Sequence, residues 1–435
     1  MSFSRVRVLA FVLIGFGCCV GAAAALDAPT TQHRIRVTEK HLAEPHRAAS
    51  HHAAVAKSTA KTASVRKAHR AAPTREPARL TTRGNARATA RIAARSAGRH
   101  HHSYERFTAS SFANSDLLAG DVTAGEDPVV RQAAIDALGD MNGTAVVIDP
   151  SNGRILAMVN QKLALSPGAE PCSTIKLTVA MAALSEKLVT RDTPVQLAGF
   201  RMNMTQALAK SNNLYFEELG RELGFERVRH YANQFGLGEL AGYNIQGEQL
   251  GIYPDQELPA SEGGVARMCS FGQGVSLTPL QLGAYVAAIA NGGTLYYLQH
   301  PTTPEEATKL TPKIKRTLDI AQYLPDIEDG MAGAVEYGTA RRLRANFNQL
   351  PVFGKTGTCS DKGTRFGWFA SYSDSPQGSL VTVFFLEGGR PTFGPRAAEL
   401  TGEFYKNLWD RNWFAAKGQQ DAASLPSAPN QQAQP

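Results

Sequence analysis

Thr144-Ala-Val-Val-Ile-Asp-Pro150, Ser151-Asn-Gly153 and Arg154-Ile-Leu-Ala-Met-Val-Asn160 are the stretch whose reading decides the fold. Two short apolar runs of strand length flank a turn, so the segment reads as a β-hairpin. C-terminal to it, residues 173–187 carry apolar side chains at helical spacing and contain no Gly or Pro. Further helical stretches lie near 204–223, 225–235, 278–291 and 327–343. Strands follow at about 351–358, 365–373 and 379–388, then a closing helix from Pro395 to Asn412. Two strands, a mainly helical middle, three strands and a helix predict one sheet whose strands come from both ends of the domain.

The chain of 435 residues has a formal charge of +8, and that charge is unevenly placed. Residues 27–105 hold 16 Lys/Arg against 5 Asp/Glu, so residues 106–435 are net acidic. The basic stretch is rich in Ala, Arg, His and Thr and poor in large apolar residues. It has too little apolar surface to offset its ordering entropy and is read as a disordered linker. Arg75, Arg79, Arg83, Arg87, Arg91, Arg95 and Arg99 recur at every fourth position. They form either a solvated spacer or a stripe that touches anionic lipid or wall polymer. At the N-terminus, Arg5 and Arg7 precede an apolar run from Val8 to Leu26. Residues 1–26 are therefore an export signal, either a cleaved signal peptide or a retained membrane anchor. Export argues against nucleic acid as the partner of the basic segment. The last twenty residues, 416–435, read as a disordered tail.

Three motifs carry chemistry. In Ser173-Thr-Ile-Lys176, positions three apart share one face of a helix, so the amine approaches the hydroxyl. A serine hydroxyl needs a base, and a lysine of depressed pKa serves as one. The second motif is Ser211-Asn212-Asn213, after the helical residues 204–210. The third is Lys355-Thr356-Gly357-Thr358, on a strand. The order S-x-x-K, S-x-N, K-T-G links the chain to penicillin-binding proteins and serine β-lactamases.

The region from about 110 to 415 resembles the transpeptidase domain of penicillin-binding proteins, and the domain is placed at 106–415. Besides the three motifs, the opening hairpin from Gly143 to Met158 is similar, as are Phe235-Gly-Leu-Gly238 with Gly247-Glu248. The stretch from Phe271 to Gly293 and the segment Met331 to Ala340 add two more landmarks. The resemblance implies an α/β fold: an antiparallel five-stranded sheet flanked by helices, a mainly helical subdomain, and a site at their junction. It implies that Ser173 forms an acyl-enzyme with a peptidoglycan stem peptide and that Lys176 takes its proton. Ser211 would relay a proton, Lys355 would keep the field positive, and Asn213 would bind the substrate backbone. Thr356, Gly357 and Thr358 would form the carboxylate-binding strand, with the N–H groups of Ser173 and Thr358 as oxyanion hole. β-Lactams would acylate the same serine. Cell-wall synthesis proteins are further expected partners, the protein would work on the outer side of the membrane, and no metal or organic cofactor is implied.

Cys172 stands where the family usually has Gly, and Cys359 directly follows the third motif. Both are read as small buried fillers, with a thiol or disulfide beside the site as the alternative. A Ser-His-Asp triad is disfavoured because only His230 and His300 lie beyond residue 102. The deacylating Glu context of class A β-lactamases is absent. D,D-carboxypeptidase activity and a non-catalytic β-lactam sensor remain as alternatives to cross-linking.

Overall fold

The computed structural model describes residues 117–375, 378–389 and 391–424. The expected export segment and linker lie outside the described residues. The strands in chain order are β1 (Gly143–Asp149), β2 (Arg154–Val159), β3 (Val195–Leu197), β4 (Phe200–Met202), β5 (Thr294–Tyr296), β6 (Ile314–Thr317), β7 (Val352–Asp361), β8 (Thr364–Ser373) and β9 (Leu380–Gly388). The main sheet has five antiparallel strands in the order β2-β1-β9-β8-β7, while β3 with β4 and β5 with β6 form separate ribbons. β1 pairs with β9 from Gly143 opposite Leu386 to Ile148 opposite Val381, so both ends of the domain meet in one sheet as the sequence predicts.

Strand periodicity sorts the core into two layers. Val146 and Ile148 of β1, Trp368 and Ala370 of β8, and Val381, Val383 and Phe385 of β9 face one cluster. That cluster includes the helices Lys176–Ser185 and Pro279–Ala290. Ala145, Val147, Phe369, Leu380, Phe384 and Leu386 face the other, packed by the helices Pro128–Leu138 and Gly394–Asp410. The β7–β8 turn is Lys362-Gly363, with φ of 47° and 88°. Two positive-φ residues suit a two-residue hairpin whose twist matches its strands.

The helical prediction over 204–223 is interrupted. Met204–Lys210 ends where Ser211 takes φ 54° and ψ 46°, and Asn212 caps a new helix, Asn213–Leu223. The predicted helix over 327–343 runs instead from Leu324 to Glu336, and Arg341–Ala345 is a separate 3-10 turn. The Pro128–Leu138 helix was not read from sequence, although Asp127 caps it with Oδ1 accepting from the Val129 and Val130 N–H groups.

The expected tail from 416 is corrected in its first part, because Trp413–Ser424 is helical. Trp413 and Phe414 are buried, and Lys417 Nζ lies 3.1 Å from Asp149 Oδ2, which holds this helix to the domain. The remaining residues of that tail are outside the described residues.

Phe384 is fully buried on the central strand and packs on Phe404, with ring centroids 5.8 Å apart. Phe384→Ala is expected to destabilise the domain by about 3–5 kcal/mol. A thermal or denaturant unfolding transition unchanged from wild type would contradict this layer assignment.

Candidate active site

Ser173 lies in a 3-10 turn, Cys172–Ile175, that leads directly into the Lys176–Ser185 helix. The tight winding brings Lys176 Nζ to 2.8 Å from Ser173 Oγ. Two contacts fix the turn from behind. Thr174 Oγ1 donates to the Pro171 carbonyl at 2.7 Å, and the Trp368 indole N–H donates to the Glu170 carbonyl at 3.0 Å. Ser173 is half-buried and Lys176 is fully buried, so Ser173 is the member of the pair that solvent reaches.

Ser211 and Asn213 come from the break between two helices. The left-handed conformation of Ser211 is uncommon for a residue with a side chain and costs roughly 1–2 kcal/mol. It turns the chain so that Asn212 caps the next helix, with Oδ1 accepting from Tyr215 N–H at 3.0 Å. Lys176 Nζ donates to Asn213 Oδ1 at 2.6 Å and lies 3.2 Å from Ser211 Oγ and 3.1 Å from the Ser211 carbonyl. Lys355 Nζ reaches the same Ser211 hydroxyl from the sheet at 2.8 Å and also donates to the Thr356 carbonyl at 3.0 Å.

Two lysines thus converge on one hydroxyl, both without solvent exposure. Burial disfavours an ammonium, and a like-charged neighbour disfavours it further. The Lys176 pKa is held well below its usual value, first by burial and then by Lys355, while Glu217 opposes the shift. Burial brings Lys355 down to about 7. A neutral Lys176 can accept the Ser173 proton while a protonated Lys355 supplies positive charge.

The strand β7 is the edge of the sheet and divides its tasks by face. Lys355 and Gly357 face the helical side. A Cβ on Gly357 would stand 2.8 Å from the Pro171 carbonyl and 3.1 Å from Thr174 Cγ2, so only glycine lets the Ser173 turn approach this closely. Thr356 and Thr358 face the other way. Thr358 is exposed, and its Oγ1 accepts from the Gly394 N–H at 2.8 Å, which leaves its own hydrogen to donate outward. Thr356 is 3% exposed, and its hydroxyl lies 2.6 Å from that of Thr339. Thr339 was missed as a site residue, although it lies within the Met331–Ala340 landmark. It reaches the site because its N–H donates to the Ala209 carbonyl, two residues before Ser211.

The structure therefore gathers Ser173, Lys176, Ser211, Asn213, Lys355, Thr356, Gly357 and Thr358 into one place, with Asn213 in the lysine network itself. The filler reading of two cysteines is overturned: Cys172 and Cys359 form a disulfide with Cα atoms 5.5 Å apart. Residues 187 positions apart meet because the Ser173 turn packs against β7 at Gly357. In a chain-entropy picture, a loop of this length closed by a cross-link contributes about 5 kcal/mol. Cys269 is a buried free thiol whose pKa burial pushes up, consistent with a packing role. His230 is exposed, and His300 pairs with Glu126 at 2.9 Å, so neither joins this cluster. Among the described residues, no group of His, Cys, Asp or Glu is placed to hold a metal ion.

The reactivity of Ser173 toward an acylating probe should rise with pH as Lys176 loses its proton. It should fall again near pH 7 in the free protein as Lys355 loses its own. Glu217→Gln removes the anion that raises the Lys176 pKa, so the rising limb should move to lower pH. A rising limb that stays in place, or moves up, would contradict the assignment of Lys176 as the base.

Residues 143–406 match the penicillin binding protein transpeptidase domain. Stage V sporulation protein D of Bacillus subtilis is 28% identical over 316 residues, covering 60% of this chain and 48% of that protein. Peptidoglycan D,D-transpeptidase PbpA of Mycolicibacterium smegmatis is 25% identical, covering 66% of this chain and 71% of that one. Peptidoglycan D,D-transpeptidase FtsI of Escherichia coli K12 is 26% identical, covering 59% and 46%. The chain thus spans about half the length of two of these three relatives. A crystal structure of Pseudomonas aeruginosa PBP2 in complex with WCK 5153 shares the fold, with a TM-score of 0.55 and 23% identity over 66% of this chain and 74% of that one. With the fold, the three motifs and the domain match in agreement, the chain belongs to the penicillin-binding protein transpeptidase family.

Proposed function

We propose that the protein is a serine-type peptidoglycan D,D-transpeptidase that works through a Ser173 acyl-enzyme. The observation that carries this reading is the buried contact of Lys176 Nζ with Ser173 Oγ at 2.8 Å, beside a Ser211 hydroxyl shared with Lys355. The names of relatives such as PbpA and FtsI support the substrate class.

Neutral Lys176 takes the Ser173 proton as Oγ attacks the carbonyl of the penultimate D-alanine of a stem peptide. The developing oxyanion is held by the backbone N–H groups of Ser173 and Thr358, where one such donor is typically worth about 3–4 kcal/mol of barrier. The proton on Lys176 then passes through Ser211 Oγ to the departing D-alanine nitrogen, and the C–N bond breaks. Lys355 stays protonated and stabilises the carboxylate end of the donor, which Thr358 meets from the strand. Thr339 orders the Thr356 hydroxyl beside it. In the second half the amine of a neighbouring stem peptide attacks the ester and returns a proton along the same route to Ser173. If water takes the amine's place, the same site trims stem peptides as a D,D-carboxypeptidase.

The location of this chemistry belongs to the same reading. Residues 1–26 direct export as a signal or anchor, residues 27–105 are a spacer, and the domain at 106–415 works in the cell envelope with cell-wall synthesis proteins. A disulfide beside the nucleophile supports an oxidising, extracytoplasmic compartment. Among the described residues no helix is long and apolar enough to cross a membrane, and the apolar N-terminal run lies outside them.

Incubation with a fluorescent penicillin should give one covalent adduct on Ser173, found by peptide mass spectrometry and absent in Ser173→Ala. An adduct on another residue, or none on folded protein, would sink the proposal. A pentapeptide donor with an acceptor amine should then give the amide product, and only hydrolysed peptide would mark a carboxypeptidase.

A further inference from the structure

The disulfide lies where the function needs geometry rather than mere stability. Cys172 immediately precedes Ser173, and Cys359 immediately follows Thr358. The bond therefore joins the two backbone segments whose N–H groups would hold the oxyanion. Cys172 also has φ 52°, in the left-handed region that glycine enters freely and that other residues rarely adopt. The adjacent backbone positions are anchored separately, through Trp368 on the Glu170 carbonyl and Thr174 on the Pro171 carbonyl. Cys172 itself is fully buried, and its side chain is tied to the edge strand by this bond.

We infer that the Cys172–Cys359 disulfide is a positioning device that holds residue 172 in its left-handed conformation and so aims the Ser173 N–H at the oxyanion. The inference rests on the acyl-transfer reading and adds a specific cause: the bond does for a cysteine what glycine would do by itself. The two cysteines touch no reacting atom and act through the backbone of Ser173. Without the bond, residue 172 relaxes toward negative φ, the following N–H rotates away, and the acylation step slows while ligand binding is retained. The edge strand keeps its place through its pairing with β8 from Val352 to Asp361, so the carboxylate subsite is not disturbed.

Three variants separate this role from simple cross-link stability: Cys172→Gly, Cys172→Ala and Cys359→Ser in the full chain. All lack the disulfide, and all lose the same loop closure. The limiting acylation rate and the dissociation constant of a fluorescent penicillin are measured by stopped flow, and folding is checked by thermal unfolding. Cys172→Ala and Cys359→Ser should lose at least ~10-fold in limiting rate, part of the ~10²–10³ that one oxyanion donor is worth, with binding changed less than ~2-fold. Cys172→Gly should stay within ~3-fold of wild type, because glycine adopts positive φ without a tether. If Cys172→Ala fails to fold, Cys359→Ser makes the same comparison with Cys172→Gly. Equal rates for wild type and Cys359→Ser, or a Cys172→Gly as slow as Cys359→Ser, would overturn the inference. Wild-type protein that takes no label at all would instead overturn the acyl-transfer reading on which it depends.

Discussion

The site depends on one electrostatic constraint: two lysines without solvent exposure share a single serine hydroxyl. Two adjacent ammonium groups in a medium of low polarity are too costly to coexist, so one must give up its proton. Lys176 is the one that does. It is fully buried and, in addition, carries the repulsion of Lys355. Much of the surrounding structure serves to keep the pair together. The left-handed Ser211, the Asn212 cap and the glycine at 357 each remove an obstacle to that convergence.

The strand that brings Lys355 shows how little freedom this arrangement has. Its side chains alternate between two faces, with Lys355 and Gly357 turned to Ser211 and the Ser173 turn, and Thr356 and Thr358 turned to Thr339 and Gly394. A slip of one residue in the pairing with β8 would exchange the two faces entirely. The register from Val352 opposite Ser373 to Asp361 opposite Thr364 is therefore part of the chemistry. The Lys362-Gly363 turn fixes it from one end, and the stacking of Phe353 on Tyr372, with centroids 5.0 Å apart, fixes it near the other.

Much of this was legible in the sequence. Apolar runs of strand length bounded by turn residues located all five strands of the sheet, because such strands advertise themselves locally. The ordered motifs brought together Ser173, Lys176, Ser211 and Lys355. What could not be read depended on contacts between distant segments. The break at Ser211 falls inside a run with helical periodicity, and tertiary contacts with both lysines hold it open. Thr339 became a site residue only through the Ala209 carbonyl and Thr356. The pairing of Cys172 with Cys359 was one alternative among several, since spacing along the chain does not reveal proximity in space. The Pro128–Leu138 helix is different, because its Asp-Pro start signal lies in the sequence itself.

The pairing of β1 with β9 also sets an order of events for the folding chain. The residues that close the sheet, Leu380–Gly388, lie more than two hundred positions beyond their partners Gly143–Asp149. Contacts of such long sequence separation form slowly, since a large loop must be closed before they give any stabilisation. Until β9 is available, β8 has no neighbour linking it to β1, and the edge strand with Lys355 has no settled place beside Ser173. Ser173 is thus made long before the strand that completes its surroundings. An emerging polypeptide carries Ser173 without Lys355 beside it, and that contact arrives only with the last strands.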